Sequence, residues 1–140
     1  SNNTVSGAVM TTQSQQTKPE WFAGSEPEWL LYTAFIRLGR QPNVDFIYQS
    51  VKFGGPTIIG GRTLDFEFFD PPNLAVNVQG VYYHYELGSG IRQNDVLLRQ
   101  LVASTGKTLI FVDEDDILED AMYYASEALQ FKDHSRLGTD

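Results

Sequence analysis

The fold is decided by residues 62–80, which read RTLDFEFFDPPNLAVNVQG. Apolar and polar residues alternate on both sides of the Asp-Pro-Pro-Asn sequence at 70–73, which is typical of a turn. The apolar members of the two alternating segments are Leu64, Phe66, Phe68, Leu74, Val76 and Val78. The pattern predicts two half-buried strands, one over 62–69 and one over 74–79, joined by a tight turn.

A helix is predicted upstream, over residues 26–38. Ser25 is a natural N-cap, and Glu28 stands three positions later, which is the capping-box spacing. Gly39 follows the last apolar position, where a helix commonly ends on a left-handed residue.

The other elements follow from similar signals. Residues 44–53 are rich in β-formers and predict the first strand, whereas 91–104 predict a second helix. Residues 108–112 predict a short buried strand, and 114–131 a last helix. We therefore expect an α/β protein of the α+β type, in which helices flank a four-stranded mixed sheet. Three strands would form a meander, and a helical crossover would lead to the fourth.

A chain of 140 residues is long enough for one domain with its own core. We assign residues 19–131 to this domain. Residues 1–18 are polar and lack periodicity, so they are expected to form an N-terminal tail, and 132–140 a loose C-terminal tail. Such tails are expected to bind protein partners or a second copy of the chain.

The net charge of −8 restricts the partners. Affinity for nucleic acid comes largely from Lys and Arg on phosphates, so DNA is a possible partner that the charge disfavours. DNA contact would need a basic stripe near the site, for which the candidates are Arg37, Arg40, Lys52, Arg62, Arg92 and Arg99.

The sequence contains no cysteine and no run of about 20 apolar residues, so neither a disulfide framework nor a membrane partner is expected. A cytoplasmic protein is the expectation, or a virion component if the chain comes from a phage.

Polar side chains on the two central strands suggest a site. Asp65 lies on one strand and Asn77 and Gln79 on the next, so pairing would bring them together near one edge of the sheet. Glu28 and His84 could join them. Carboxylate, amide and imidazole groups together suit a hard divalent cation and a polarised water.

The order of elements and four segments resemble the PD-(D/E)XK, or restriction-endonuclease-like, superfamily, most closely its very-short-patch-repair branch. The resemblance covers about residues 25–129 and implies an αβββαβα core and Mg²⁺-dependent DNA cleavage. The segments are Glu28–Leu31 with Leu38-Gly39, Arg62–Phe66, Val78–His84, and Asp95 with Leu98, Leu101, Gly106 and Leu109–Phe111.

The resemblance also implies roles for individual residues. Asp65 would be the metal ligand, together with the backbone carbonyl of Val78, and Asn77 is a third candidate ligand at the position of the second acid. His84 would match the histidine of the repair branch, and Glu28 the acid on the first helix that positions or activates water.

Two positions depart from the superfamily pattern. Asn77 stands where the second acid would complete the metal ligands, and Gln79 stands in the catalytic position of the lysine. A glutamine side chain cannot accept a proton at neutral pH. The site therefore looks degraded, with weak or lost activity, and whether the chain is an Mg²⁺-dependent endodeoxyribonuclease stays open. The alternative is a non-catalytic structural or adaptor component of a larger assembly, such as a phage particle.

Structural explanations compete for the same residues. Glu28 is explained by the capping box, and His84 could be a hydrogen-bonded structural histidine. Asn77 and Gln79 could pair across the sheet or with a helix cap. The acidic run at 113–116 is best explained as the first turn of a helix, where the dipole favours negative charge.

Overall fold

The computed structural model describes residues 17–49, 52–53, 62–80 and 89–137. Several predictions concern positions outside these ranges. They are the candidate His84, most of the N-terminal tail and the last three residues of the chain.

The described residues form three helices and six strands. The helices are α1 (Glu26–Arg37), α2 (Ser89–Ala103) and α3 (Glu114–Leu129). The strands are β1 (Phe46–Tyr48), β2 (Lys52–Phe53), β3 (Arg62–Thr63), β4 (Phe66–Phe68), β5 (Leu74–Gln79) and β6 (Thr108–Asp113). None of the described helices is both long and apolar enough to cross a bilayer.

The main sheet has four strands in the order β1-β4-β5-β6. β1, β4 and β5 are antiparallel neighbours, and β6 lies parallel to β5 after the crossover through α2. The predicted α+β class and four-stranded mixed sheet are therefore confirmed. β2 and β3 form a separate two-stranded sheet.

Helices cover both faces of the main sheet. One buried cluster joins α1 and α3 to the sheet through residues such as Leu31, Phe35, Phe66 and Val76. A second cluster joins α2 to the opposite face through residues that include Leu98 and Phe111. β5 is buried on both faces. The alternation predicted for it therefore separates the two helix-covered faces of the sheet, rather than a buried face from an exposed one.

The predicted alternation over 62–69 is wrong at Leu64. Its side chain is buried with α2, whereas Phe66 and Phe68 are buried with α1 and α3. The chain bends at Asp65, and this bend separates β3 from β4. The predicted strand over 44–53 is likewise divided, since β1 and β2 belong to different sheets.

Local signals predicted α1 well. The Glu28 N–H donates to Ser25 Oγ at 3.3 Å, and the Ser25 N–H donates to Glu28 Oε1 at 2.9 Å, so the capping box is confirmed. The helix ends at Arg37, one residue before the predicted end. Gly39 follows with φ of +93°, the left-handed conformation that glycine adopts at no steric cost.

The prediction of a loose C-terminal tail is wrong for residues 133–137. The Phe111 N–H donates to Asp133 Oδ2 at 2.9 Å, and the Arg136 N–H donates to Asp113 Oδ2 at 2.9 Å. Leu137 is 5% exposed and belongs to the α2 cluster. This segment therefore closes one side of the core, after α3 has ended at Leu129.

Leu137→Ala should lower the free energy of unfolding by about 2–4 kcal/mol, because it leaves a cavity in the α2 cluster. Leu118→Ala is the matched control, since Leu118 is 60% exposed on α3. Urea unfolding of both variants provides the measurement. Equal stabilities for the two variants would show that the C-terminal segment is not part of the core.

Candidate functional site

The candidate site lies where β4 and β5 separate. Phe66 and Val76 are the last directly paired residues at this end of the two strands. Beyond them, the Asp65 N–H donates to Asn77 Oδ1 at 2.8 Å, and the Val78 N–H donates to Asp65 Oδ2 at 2.8 Å. Two side chains thus replace backbone partners, and they hold the Asp65 carboxylate against the edge of β5. We call this place the strand split.

The carbonyl of Val78 faces the same split. In an extended strand, the N–H and C=O of one residue point to the same edge. Since the Val78 N–H donates to Asp65, its carbonyl oxygen also faces toward the side of β5 where Asp65 lies. Two of the three predicted ligands, Asp65 and the Val78 carbonyl, therefore lie on the same side of β5, whereas Oδ1 of the third, Asn77, accepts the Asp65 N–H.

Glu28 approaches the split from α1. Its Oε1 accepts the Tyr48 hydroxyl at 2.7 Å as well as the Ser25 N–H of the capping box. Gly24 makes this approach possible, because a Cβ there would lie 2.0 Å from the Tyr48 hydroxyl oxygen and 2.4 Å from Glu28 Oε1. The capping-box explanation of Glu28 is thus correct, and the same carboxylate also fixes Tyr48.

Burial and charge act together on the acids of the split. Burial, reinforced by the negative charge of Glu28, raises the pKa of Asp65 to about 7, although the Val78 N–H and Arg62 oppose the shift. Burial and the hydrogen bond to Glu28 also raise the pKa of the Tyr48 hydroxyl. Asp65 is therefore poised near neutral pH between its protonated and its charged form. A cation could take the place of the proton.

Asn77 and Gln79 are both buried and both bonded to protein groups. Asn77 bridges to Asp65 across the split, as the cross-sheet explanation predicts. Gln79 Nε2 donates to Asp95 Oδ2 at 3.1 Å, and Asp95 forms an ion pair with Arg62. The Gln79 side chain thus bonds to α2 rather than to a neighbouring strand or a helix cap.

The Gln79 amide is only half satisfied. Among the buried polar side-chain atoms of the described residues, Gln79 Oε1 is the one without a hydrogen-bond partner. The Gln79 side chain is fully buried and its amide donates to Asp95, so it has a structural role and cannot act as a base.

Sequence reasoning missed the role of Tyr48 and the Arg62–Asp95 pair. Tyr48 stands 20 residues from Glu28, and Arg62 stands 33 from Asp95. No local period links residues at such distances. The signal that could have found Asp95 is a lone carboxylate amid the apolar positions of a predicted helix, which has to be paired when buried.

A second acidic group lies at the start of α3. Ligand oxygens of Asp113, Asp115 and Asp116 all lie within 4.8 Å of one another. Arg136 already donates to this group, at 3.4 Å to Asp113 and 2.6 Å to Asp115. The guanidinium and the helix N-terminus offset part of this negative charge, as the first-turn explanation expects. Burial and the charges of Asp115 and Asp113 still raise the pKa of Asp116.

Of the six basic candidates, the four whose side chains are described do not form one stripe. Arg62 pairs with Asp95, and Arg40 donates to the Asp70 and Leu38 carbonyls. Arg99 lies over the Phe111 ring at 5.9 Å, on the α2 side of the sheet, whereas Arg37 ends α1 on the opposite side. The side chains of Lys52 and Arg92 lie outside the described part.

Comparison with known proteins gives no relative. No family model, curated protein or solved structure matches the chain. The geometry of the strand split is therefore the basis for a functional proposal.

The pKa of Asp65 makes stability depend on pH. Because this pKa lies above the ordinary value of 3.8, the folded state keeps a proton that the unfolded state releases between about pH 4 and pH 7. Stability should fall as the pH rises through this window. Asp65→Asn keeps an acceptor for the Val78 N–H and removes the titration. It should raise the free energy of unfolding by about 1–2 kcal/mol at pH 8 and by less at pH 4.

Urea unfolding at both pH values checks this, and Asp115→Asn provides a control of opposite sign. The hydrogen bond from Arg136 lowers the pKa of Asp115, so the charged form stabilises the fold at neutral pH. Asp115→Asn should therefore destabilise at pH 8. An Asp65→Asn effect that does not vary with pH would contradict the raised pKa.

Proposed function

We propose that this chain is a nuclease-fold protein that binds a divalent cation weakly at the strand split and cleaves DNA slowly or not at all. One observation carries the proposal. The Asp65 carboxylate is fixed beside Glu28 and on the same edge as the Val78 carbonyl. This is a set of oxygen atoms with excess negative charge, placed where the resemblance to PD-(D/E)XK enzymes expects the metal.

The residues of the split fit a hard cation such as Mg²⁺. Carboxylate and carbonyl oxygens are the ligands that Mg²⁺ prefers, and it commonly keeps several waters. A bound cation would compensate the charge of the Asp65 carboxylate, which burial and the negative charge of Glu28 disfavour. Binding would be weak because the Asn77 oxygen already accepts the Asp65 N–H, which leaves a single acid as a firm ligand.

Glu28 and Gln79 would have different roles at the proposed site. Glu28, held by the Tyr48 hydroxyl and the Ser25 N–H, would orient a water beside Asp65. A bound metal ion would supply a polarised water at this place. Gln79 would take no part in proton transfer, because its amide is buried against Asp95 and has no basic atom. Because position 79 offers no base, we expect DNA cleavage to be slow or absent.

A non-catalytic role is the second candidate. It is favoured by the structural hydrogen bonds that buried Asn77 and Gln79 make to Asp65 and Asp95, and by basic side chains on opposite sides of the sheet. Under this alternative the nuclease fold would serve as a component of an assembly. The net charge of −8 points the same way, since it weakens contact with DNA phosphates.

Mn²⁺ titrated by calorimetry should bind the wild type and bind Asp65→Asn at least about tenfold more weakly, because the variant lacks the carboxylate ligand. Supercoiled plasmid with Mn²⁺ then separates the two candidates. Slow nicking that disappears in Asp65→Ala supports a weak nuclease. Cation binding without nicking supports a protein that kept the site and lost the reaction. Mn²⁺ binding that is unchanged in Asp65→Asn would contradict the cation site.

The paired substitution Asn77→Glu with Gln79→Lys should raise nicking by about tenfold or more, because it adds a carboxylate ligand and a cationic group. Asp95 lies beside position 79, so the new ammonium would have a buried counter-charge. The same pair combined with Asp65→Ala is the control and should be inactive. A paired variant that folds but nicks no faster than the wild type would contradict the assignment of positions 77 and 79.

A further inference from the structure

Trp21 is exposed although it belongs to an ordered aromatic cluster. Its side chain is 69% exposed. Its ring centroid lies 5.5 Å from that of Trp29 at an angle of 86°, and 6.4 Å from that of Tyr32 at 70°. Trp29 and Tyr32 are themselves stacked at 5.6 Å. The three rings, which we call the tryptophan surface, form a corner with Trp21 standing across the stacked pair.

The backbone beside this surface is fixed in place. Phe22 is 2% exposed and packs on Tyr48 at 4.6 Å and on Trp29 at 5.1 Å. The Lys18 ammonium donates to the Phe22 carbonyl at 3.0 Å. The exposed indole is thus carried by an anchored segment, so little conformational entropy would be lost when a ligand binds it.

Acidic residues accompany the rings. Glu20 precedes Trp21 and is exposed, and the exposed Glu26 lies three positions before Trp29 on α1. Residues three apart on a helix are neighbours on its surface. Glu28, four positions before Tyr32, adds a further carboxylate whose Oε1 is held by Tyr48. The described segment 17–32 carries Lys18 as its one cation against three carboxylates.

We propose that the tryptophan surface is a docking site for an arginine or lysine side chain of a basic partner protein. A cation over the face of a tryptophan is attracted by the ring, and nearby carboxylates strengthen the attraction. Trp and Arg are also the residues most enriched at the energetic centres of protein interfaces. The acids argue against a nucleic acid as the ligand. Its bases could stack on the rings, but the carboxylates would repel its phosphates.

This docking site does not rest on cation binding at the strand split. Its ligand is a protein cation rather than a metal ion, and its contact residues are the exposed Trp21 and the half-buried Trp29 and Tyr32 rather than Asp65. A failure of the nuclease proposal would leave it standing, and the reverse is also true.

The two tryptophans of the chain both lie in this surface, so intrinsic fluorescence reports on it directly. The full chain is titrated at low salt with a synthetic Arg-Gly repeat peptide of nine residues, and calorimetry gives the dissociation constant independently. We expect a saturable fluorescence change. Trp21→Ala should weaken binding about fivefold or more. Glu20→Gln with Glu26→Gln should weaken binding about two- to fivefold and reduce its dependence on salt.

Phe69→Ala is the matched control, because Phe69 is 51% exposed elsewhere on the domain, and it should bind the peptide as the wild type does. Circular dichroism confirms folding of each variant. Three results would overturn the proposal. They are equal binding by Trp21→Ala and Phe69→Ala, tighter binding of a dT oligonucleotide than of the peptide, and a fluorescence change on dilution alone, which would show that a second copy covers the surface.

Discussion

The structure depends on the two hydrogen bonds that join Asp65 to β5. β4 and β5 pair only as far as Phe66 and Val76, and beyond that point the chain turns away. The Asp65 N–H donates to Asn77 and the Val78 N–H donates to the Asp65 carboxylate, so both backbone N–H groups at the split have a side-chain acceptor. The bend lets Leu64 enter the α2 cluster while Phe66 stays under α1. One side chain therefore ties the two layers together and places a carboxylate beside Glu28.

The same constraint places two carboxylates close together in the strand split. A partly buried carboxylate next to another acid is costly unless a proton or a cation compensates it, and this cost is the basis of the cation site that we propose at the split. Asn77 and Gln79, by contrast, are buried and bonded to Asp65 and Asp95. These contacts stabilise the fold and supply no proton acceptor.

Much of this could be predicted from the sequence, where the signal is local. The capping box, the left-handed Gly39 that follows α1, the bounds of β5 and the four-stranded mixed sheet follow from spacing, alternation and turn residues. Contacts between distant residues could not be predicted in this way. The alternation predicted through Leu64 is wrong because Asp65 is hydrogen-bonded to β5, and the chain bends there between β3 and β4. The C-terminal segment looks loose by composition, but it is held by Phe111 and Asp113, more than twenty residues earlier, and by burial of Leu137 in the α2 cluster. Tyr48 beside Glu28 is a third such case.

The most direct test is the pKa of the Asp65 carboxyl, measured by carbon NMR as a function of pH, with and without Mg²⁺. The buried carboxyl beside Glu28 should titrate near pH 7 in the metal-free protein. Millimolar Mg²⁺ should lower this pKa, because a cation and a proton compete for the same oxygens. In Glu28→Gln the metal-free pKa should already be lower, since one source of repulsion is gone. A carboxyl that titrates near pH 4 and does not respond to Mg²⁺ would contradict the central role given to Asp65.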